Sequence, residues 1–171
     1  MSSPLPISVV IVARNEERNL PRCLASGRGW TAETVVVLND TTDGSEAAAR
    51  AAGAVVHHRP WQGFRDTKNA AAALATQPWI LALDADEEVS PALREALHGF
   101  FAGTPDRFAG ARFPRKVWFI DRWITHGDWY PDLSLRLFHR DRARWGGDAF
   151  VHEKVECAVP VATVHGDLHH F

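Results

Sequence analysis

The first hundred residues alternate short β-rich runs with helix-like stretches, and this alternation constrains the fold more than any other feature of the sequence. The β-rich runs lie at residues 7–12, 34–38, 54–57 and 79–83. The helix-like stretches lie at residues 16–26, 46–52, 67–75 and 90–101. Strands that alternate with helices form a parallel sheet covered by helices, so we predict an α/β fold with a mostly parallel, Rossmann-like sheet.

Polar side chains follow all four predicted strands. In chain order they are Arg14, Asn15 and Glu16, then Asn39 and Asp40, then His57, His58 and Arg59, and finally Asp84, Asp86 and Glu87. A single cluster of this kind is explained by a turn or a helix cap. In an open α/β sheet, however, ligands bind in the crevice beyond the carboxyl ends of the strands. Four successive clusters therefore predict a binding site at that edge of the sheet.

The last cluster contains the Asp-x-Asp motif Asp84-Ala85-Asp86. Two carboxylates around one small residue can hold a hard divalent cation that also binds phosphate oxygens, and Mg²⁺ and Mn²⁺ suit such a site. On its own the motif is weak, because it also fits an acidic approach to a helix. The apolar run at residues 79–83 strengthens it, since a buried strand would deliver both acids to the crevice.

The second half has a different character, with extended, aromatic and basic segments after Thr104 and Pro105. The extended segments are expected at residues 110–114, 117–124, 134–139 and 143–152. Because no Gly/Ser-rich linker separates the halves, we predict a single domain, 1–171, with functional halves at 1–104 and 105–171. Basic residues are dense between 112 and 144, which indicates either an anionic partner or a solvated face.

Composition excludes some classes of function. A net charge of −2 argues against a nucleic-acid-binding protein, which usually has a dominant basic face. Cys23 and Cys157 form no metal or disulfide pattern and are expected to be reduced structural thiols. The longest apolar run near the start, residues 7–13, is far shorter than a membrane span, so we expect a cytoplasmic protein.

Several motifs in order resemble the inverting family 2 glycosyltransferases of GT-A fold. They are residues 8–17, Thr-Asp-Gly-Ser at 42–45, Trp-Gln-Gly-Phe at 61–64, Lys-Asn at 68–69 and residues 79–87. Residues 127–132, 135–138 and 151–153 narrow the resemblance to bacterial lipopolysaccharide core β-1,4-glucosyltransferases, which add glucose to inner-core heptose. The resemblance covers nearly the whole chain, and family members are commonly longer at the carboxyl end.

The resemblance implies a donor site for a UDP-sugar such as UDP-glucose, with Mg²⁺ or Mn²⁺ bound to its diphosphate. The donor-binding residues it implies are Ala13, Asn15, Glu16, Asn39, Asp40, Lys68, Asp84, Ala85 and Asp86. Asp86 is the expected metal ligand, and Asp84 is expected beside the ribose. In one departure, Leu38 occupies the position of an aspartate that usually contacts the base, and Asn39 or Asp40 would replace it after a small shift.

An inverting transfer needs a carboxylate that removes the proton of the acceptor hydroxyl as its oxygen attacks. Asp132 is the first candidate, because Asp132 and Arg136 resemble the acidic-x-x-x-Arg segment that carries the base in this family. Glu153 is the second candidate and Asp128 the third. For the metal, His152 is the expected third ligand, as a late histidine is in some GT-A enzymes. His165, His169 and His170 are weaker alternatives.

The aromatic and basic second half suits an acceptor that is an anionic glycolipid or oligosaccharide, since aromatic rings stack on sugars and arginine pairs with acidic groups. At least half of these aromatics are expected in the core instead. Residues 116–124 alternate as a strand does, and they also suit peripheral contact with the inner membrane. Two other functions stay open: a nucleotidyltransferase, whose usual Gly-rich loop is missing here, and a non-catalytic or truncated sugar-nucleotide-binding module.

Overall fold

Four parallel strands form the first half of one large sheet. A computed structural model gives the fold and describes residues 3–148, 153–158 and 160–171. The strands are β1 (Leu5–Ala13), β2 (Thr31–Leu38), β3 (Val55–His58) and β4 (Trp79–Asp84), and they lie in the order β3-β2-β1-β4. The predicted α/β fold is confirmed. The register pairs Ala13 with Leu38 and Val12 with Asp84, so these three strands end at the same edge.

Four helices connect and cover these strands: α1 (Leu20–Gly27), α2 (Ser45–Ala51), α3 (Phe64–Ala72) and α4 (Pro91–Ala102). All four were predicted, but α1 begins later than residue 16. The backbone turns there instead, because the Glu16 carbonyl accepts hydrogen bonds from the N–H groups of Asn19 and Leu20. The start of α4 is as predicted, with the Ser90 hydroxyl accepting from the Leu93 N–H at 3.1 Å.

The remaining strands extend and close the sheet. They are β5 (Glu87–Val89), β6 (Gly110–Phe119), β7 (Arg122–Trp123), β8 (Asp132–His139), β9 (Ala143–Gly147), β10 (Glu153–Cys157), β11 (Val161–Thr163) and β12 (Leu168–His170). The sheet continues from β4 in the order β8-β6-β12-β5, with β8 antiparallel to both β4 and β6. Separately, β9 and β10 form an antiparallel pair. Short 3-10 turns lie at Pro105–Arg107 and Gly127–Trp129.

One predicted segment is wrong in detail. Residues 117–124 were expected to be a single extended stretch, but they form a hairpin in which β6 turns at Ile120 and Asp121 into β7. Sequence alone hides this turn because it contains no glycine or asparagine. The short strands β5, β10, β11 and β12 were not predicted. Of the predicted segment 143–152, residues 143–147 are strand, and 149–152 lie outside the described residues.

The core lies on both faces of the sheet. On one face, Leu20 and Leu24 of α1 and Leu93 and Leu97 of α4 are buried against the strands. On the other face, α3 packs beside β9, and Trp145 of that strand is buried in a second cluster. With both faces covered, the carboxyl edge of β1, β2 and β4 stays open to a ligand. Cys23 is buried and Cys157 is half-buried.

Candidate functional site

A cleft of about 410 Å³ opens beyond the ends of β1, β2 and β4. Its lining residues come from the strand ends, the loop before α3, α3 itself and the end of the chain. They are Val12, Ala13, Arg14, Glu16, Asn39, Trp61, Phe64, Lys68, Asp84, Ala85, Asp86 and His170. The cleft lies where the succession of polar strand ends predicts a binding site.

Seven of the nine residues expected at the donor lie in this lining: Ala13, Glu16, Asn39, Lys68, Asp84, Ala85 and Asp86. The other two, Asn15 and Asp40, are exposed neighbours that do not line the cleft. Both have left-handed backbones, with φ of 54° and 43°. Asn15 is engaged in loop structure, because its Oδ1 accepts a 2.8 Å hydrogen bond from the Thr42 N–H.

The end of β2 shows which side chain replaces the aspartate that the family usually has. Leu38 is fully buried in the core, so it does not face the cleft. Asn39 is also buried but does line the cleft. Its backbone N–H donates to the Ala13 carbonyl at 3.0 Å, and its Nδ2 donates to the Arg59 carbonyl at 2.7 Å. Asn39 is therefore the fixed polar group at this position.

Asp84 lies at the centre of a network of charges beneath the cleft. Its Oδ2 is 2.7 Å from Arg136 Nη2, and its Oδ1 is 3.2 Å from Lys68 Nζ. The same Arg136 nitrogen lies 2.8 Å from Glu87 Oε1, and Glu87 Oε2 accepts the Asp84 backbone N–H at 2.9 Å. Lys68 in turn is 3.0 Å from Glu153 Oε1. Arg136 therefore fixes Asp84 in place.

Burial and charge act in opposite directions on this network. Burial alone would raise the pKa of Asp84, but the positive charges of Arg136 and Lys68 outweigh it and the pKa is lowered well below its usual range. Burial raises the pKa of Glu87, and neighbouring Asp84 adds to the increase although Arg136 opposes it. For Arg136, burial disfavours the charge, yet Glu87 and Asp84 raise its pKa. Arg136 thus stays protonated.

Asp86 lines the same cleft and meets a histidine from the end of the chain. His170 Nε2 lies 3.3 Å from Asp86 Oδ2. The strand β12 carries His170 there by pairing antiparallel with β5, and the Asp86 carbonyl accepts the Phe171 N–H at 3.1 Å. His165 is exposed, His169 stacks 4.4 Å from the Trp123 ring, and His152 lies outside the described residues.

A second cavity of about 390 Å³ shares Lys68 and Asp84 with the cleft and lies beside β8 and β10. Its lining is rich in cationic side chains and consists of Lys68, Asp84, Arg115, Leu133, Ser134, Leu135, Arg136, Trp145, Glu153, Lys154 and Val155. Asp132, half-exposed at the start of β8, adjoins it, with Oδ2 3.6 Å from Arg115 Nε. Glu153 lines it directly. Asp128 is exposed in the turn at Gly127–Trp129.

Three residues at these cavities were missed or undervalued in the sequence. Glu87 was grouped with the acids of the motif, but nothing indicated that it is fully buried. Arg115 was counted among many basic residues, yet its Nε is buried and lacks a hydrogen-bond partner within the described parts of the chain. His170 was ranked below His152. The one feature of the sequence that could have indicated His170 is the His-His pair at residues 169–170.

In open α/β sheets, ligands bind in the crevice beyond the carboxyl ends of the strands, which is where this cleft and its two aspartates lie. The family model described as Glycosyl transferase family 2 matches residues 8–158. The chain belongs to this family.

Among relatives, the lipopolysaccharide core biosynthesis glycosyltransferase LpsC of Rhizobium meliloti is 33% identical over all of this chain and 65% of its own length. An uncharacterised glycosyltransferase of Rickettsia typhi is 36% identical over 60% of this chain and 35% of its own length. The chain thus spans less than two thirds of the length of these curated relatives.

Solved structures share the fold. Staphylococcus aureus TarS with UDP-GlcNAc superposes with a TM-score of 0.63 at 12% identity, covering 95% of this chain and 58% of that one. Glucosyl-3-phosphoglycerate synthase of Mycobacterium tuberculosis with Mn²⁺, UDP and phosphoglyceric acid gives 0.52 at 23% identity, covering 64% of this chain and 43% of that one. In residues 3–148, 153–158 and 160–171, no helix is long and apolar enough to cross a membrane.

Proposed function

We propose that this chain is an inverting glycosyltransferase that moves glucose from UDP-glucose to a saccharide acceptor of the lipopolysaccharide inner core, such as a heptose. The observation that carries the proposal is the position of Asp84-Ala85-Asp86 in the cleft beyond β4, in a chain of glycosyltransferase family 2. The relationship to LpsC, a lipopolysaccharide core enzyme by its name, supports the acceptor class.

The cleft is proposed as the donor site. Asn39 and Glu16 would hydrogen-bond the nucleoside, and Asp84 would bind the ribose, since these polar groups are fixed around one space. Trp61 and Phe64 form an edge-to-face pair, with ring centroids 4.7 Å apart, in the same lining. Their partly exposed rings offer an apolar surface for the base. Lys68 would balance the charge of the diphosphate.

Asp86 and His170, which both line the cleft, fit Mg²⁺ or Mn²⁺. Asp86 supplies a carboxylate and His170 an imidazole 3.3 Å away, and no third carboxylate, imidazole or thiol joins them among the residues described. Two protein ligands suit these cations, which keep water and phosphate ligands. An imidazole ligand favours Mn²⁺ over Mg²⁺. When bound, the cation stabilises the negative charge of the departing diphosphate.

The second cavity is proposed as the acceptor site. Its lining contains Lys68, Arg115, Arg136 and Lys154 against Asp84 and Glu153, so it has an excess of positive charge and suits an anionic glycolipid or oligosaccharide. The sugar would bind where the two cavities meet, at Lys68 and Asp84. Residues 1–104 would then bind the donor and 105–171 the acceptor, except that His170 reaches back to the donor cleft.

Asp132 is proposed as the general base. It removes the proton of the acceptor hydroxyl while that oxygen bonds to the anomeric carbon and the bond to the diphosphate breaks, which releases UDP and inverts the anomeric centre. Asp132 suits this role because it is half-exposed and the nitrogen of its ion-pair partner, Arg115 Nε, is 3.6 Å away. Glu153 is the alternative base, but its Oε1 is already 3.0 Å from Lys68 Nζ. We assign Glu153 to positioning Lys68.

A donor screen tests the proposal. The chain is incubated with UDP-, GDP-, CMP- and dTDP-sugars in the presence of Mn²⁺ or of EDTA, with and without a heptose-containing acceptor, and nucleotide release is measured. We expect metal-dependent turnover of UDP-glucose, which Asp86→Ala and Asp132→Asn abolish and the exposed control Asp141→Asn preserves. Full turnover by both site variants contradicts the proposal. Protection from thermal unfolding by UDP without turnover would indicate a sugar-nucleotide-binding module instead.

A further inference from the structure

The hairpin of β6 and β7 exposes large apolar side chains at its end. We define the aromatic hairpin as residues 117–124 together with Trp129, whose ring centroid lies 5.6 Å from that of Phe119. Ile120 at the tip is 82% exposed, Trp129 53% and Phe119 48%. Scattered single apolar residues are normal on a protein surface, but adjacent ones of this size mark a contact site.

The backbone of the aromatic hairpin is ordered by its own hydrogen bonds. The Asp121 N–H donates to the Phe119 carbonyl at 2.8 Å, and the Ile124 N–H donates to the Val117 carbonyl at 2.9 Å. Ile120 has a φ of 59°, a left-handed conformation that is unfavourable for a β-branched residue. Folding stability therefore does not explain an isoleucine at this position, whereas a contact made by its exposed side chain would explain it.

The base of the aromatic hairpin is packed, which holds the tip away from the body of the protein. The Trp123 ring lies 4.4 Å from the His169 ring and 5.2 Å from that of Phe171. Lys116 Nζ lies 5.9 Å from the same tryptophan ring. The exposed side of Phe119, Ile120 and Trp129 thus stands on a rigid support and presents its apolar groups together.

We propose that the aromatic hairpin docks into the headgroup layer of an anionic lipid bilayer. Tryptophan, phenylalanine and isoleucine next to cationic side chains are the residues that lie at membrane interfaces. Arg115 and Lys116 lie in β6 just before the aromatic hairpin, and Arg122 stands against Asp121 within it. Residues 115–124 together therefore have a net charge of +2, which complements anionic lipid. The exposed apolar surface, on the order of 400 Å², is smaller than the ~800 Å² per partner of a stable protein interface.

The aromatic hairpin is continuous with the second cavity. Strand β6 runs from Arg115, in the lining of that cavity, to the tip at Ile120, a span of roughly 16 Å at the usual rise of a strand. A bilayer touching the tip would hold a lipid-linked saccharide near the cavity. This last step rests on the proposed function, whereas the docking itself is a property of the surface.

Vesicle sedimentation of the whole chain tests the docking without donor or acceptor. We expect binding to vesicles of phosphatidylcholine with phosphatidylglycerol, and at least tenfold weaker binding to phosphatidylcholine alone or in high salt. Phe119→Ser combined with Ile120→Ser should weaken binding to the anionic vesicles at least tenfold. The matched control is Val55→Ser, which removes an exposed apolar side chain from the edge strand β3 and should bind as the parent does.

The single variant Ile120→Asn guards against a folding defect, because asparagine tolerates the left-handed backbone and should preserve the unfolding temperature while binding weakens. Equal binding by Ile120→Asn and the parent chain, or no binding by the parent, overturns the inference. A dimer that dissociates in the same variant would assign the hairpin to a second copy and overturn it as well. Release of UDP from UDP-glucose without vesicles should be unchanged by these variants, so failure of docking is distinct from failure of the proposed function.

Discussion

Arg136 and Asp84 are joined by a 2.7 Å contact across the antiparallel pair of β8 and β4. The same guanidinium nitrogen reaches Glu87, which is fully buried. One buried cation thus contacts both Asp84 and Glu87, and Asp84 is held in place independently of any ligand. An active site gains from such fixed groups because they need not reorganise when the substrate binds.

Replacing Arg136 should be strongly destabilising. Arg136→Met leaves Glu87 buried without its principal cation, and breaking a buried pair in this way typically costs about 3–5 kcal/mol of unfolding free energy. The exposed helix residue Arg94 provides the control, and Arg94→Met should change stability by less than about 0.5 kcal/mol. Urea unfolding followed by circular dichroism measures both. A loss below about 1 kcal/mol for Arg136→Met would show that the network does not support the fold.

The lowered pKa of Asp84 predicts a pH dependence of stability. Because the folded pKa lies below the unfolded value, ionised Asp84 contributes stability above the unfolded pKa of about 3.9 and loses it as pH falls towards the folded pKa. The Asp84 side chain is 35% exposed, so solvent screening reduces the contribution. The unfolding free energies of the parent and Asp84→Asn should therefore differ most at neutral pH and converge below about pH 3.9. A difference independent of pH from 7 to 3 would contradict the assignment.

Binding of a divalent cation should depend on both Asp86 and His170. At UDP and Mn²⁺ concentrations about 100 times Kd, ligand binding stabilises a protein by about 2.7 kcal/mol, a rise in Tm of about 5–10 °C for a chain of this size. Asp86→Ala and His170→Ala should each remove most of that rise. His165→Ala, an exposed histidine nearby in sequence, is the control and should retain it. If His170→Ala shows the full rise in Tm, His170 is not a ligand of the cation, and His152 is the histidine to test next.

Trp61 should determine donor affinity. Stacking of a base on an aromatic ring contributes about 1–3 kcal/mol, so Trp61→Ala should raise the KM for UDP-glucose about tenfold with kcat little changed, as expected when binding is lost equally in ground and transition states. Trp118→Ala is the control because Trp118 is similarly exposed, 37% against 41%, but lies on the hairpin. A fall in kcat with constant KM would place the ring beside the reacting sugar instead of the base.

Some of this site follows from sequence because it depends on local pattern. The alternation of strands and helices orders the polar strand ends along one edge, and the apolar run before Asp84 delivers the motif to the cleft. The buried position of Asn39 follows less directly, because Asn39 lies just beyond the end of β2 and only the alternation of faces along the chain separates it from Leu38. A one-residue change in that pattern exchanges the two faces.

The remaining residues depend on long-range pairing that no local pattern encodes. Arg136 meets Asp84 only because β8 pairs antiparallel with β4, and His170 meets Asp86 only because β12 pairs with β5. Such contacts join segments 52 and 84 residues apart. Register decides that His170, and not its neighbour His169, faces the cleft. The turn at Ile120 was missed for a different reason, since its left-handed residue is one that turns disfavour.

The roles of Asp132 and Glu153 should separate in kinetics. Loss of a general base typically lowers the rate by 10²–10⁴-fold. Asp132→Asn should therefore lower kcat for sugar transfer to that extent, while UDP and Mn²⁺ still raise the Tm of the variant. Glu153→Gln removes a charge that lies 3.0 Å from Lys68, and it should chiefly raise the KM for the donor. Asp141→Asn, an exposed turn variant, should behave as the parent does. The opposite result would be a large loss of kcat in Glu153→Gln and an unchanged kcat in Asp132→Asn. In that case the base is Glu153, and Arg115 instead orders Asp132 at the rim of the acceptor cavity.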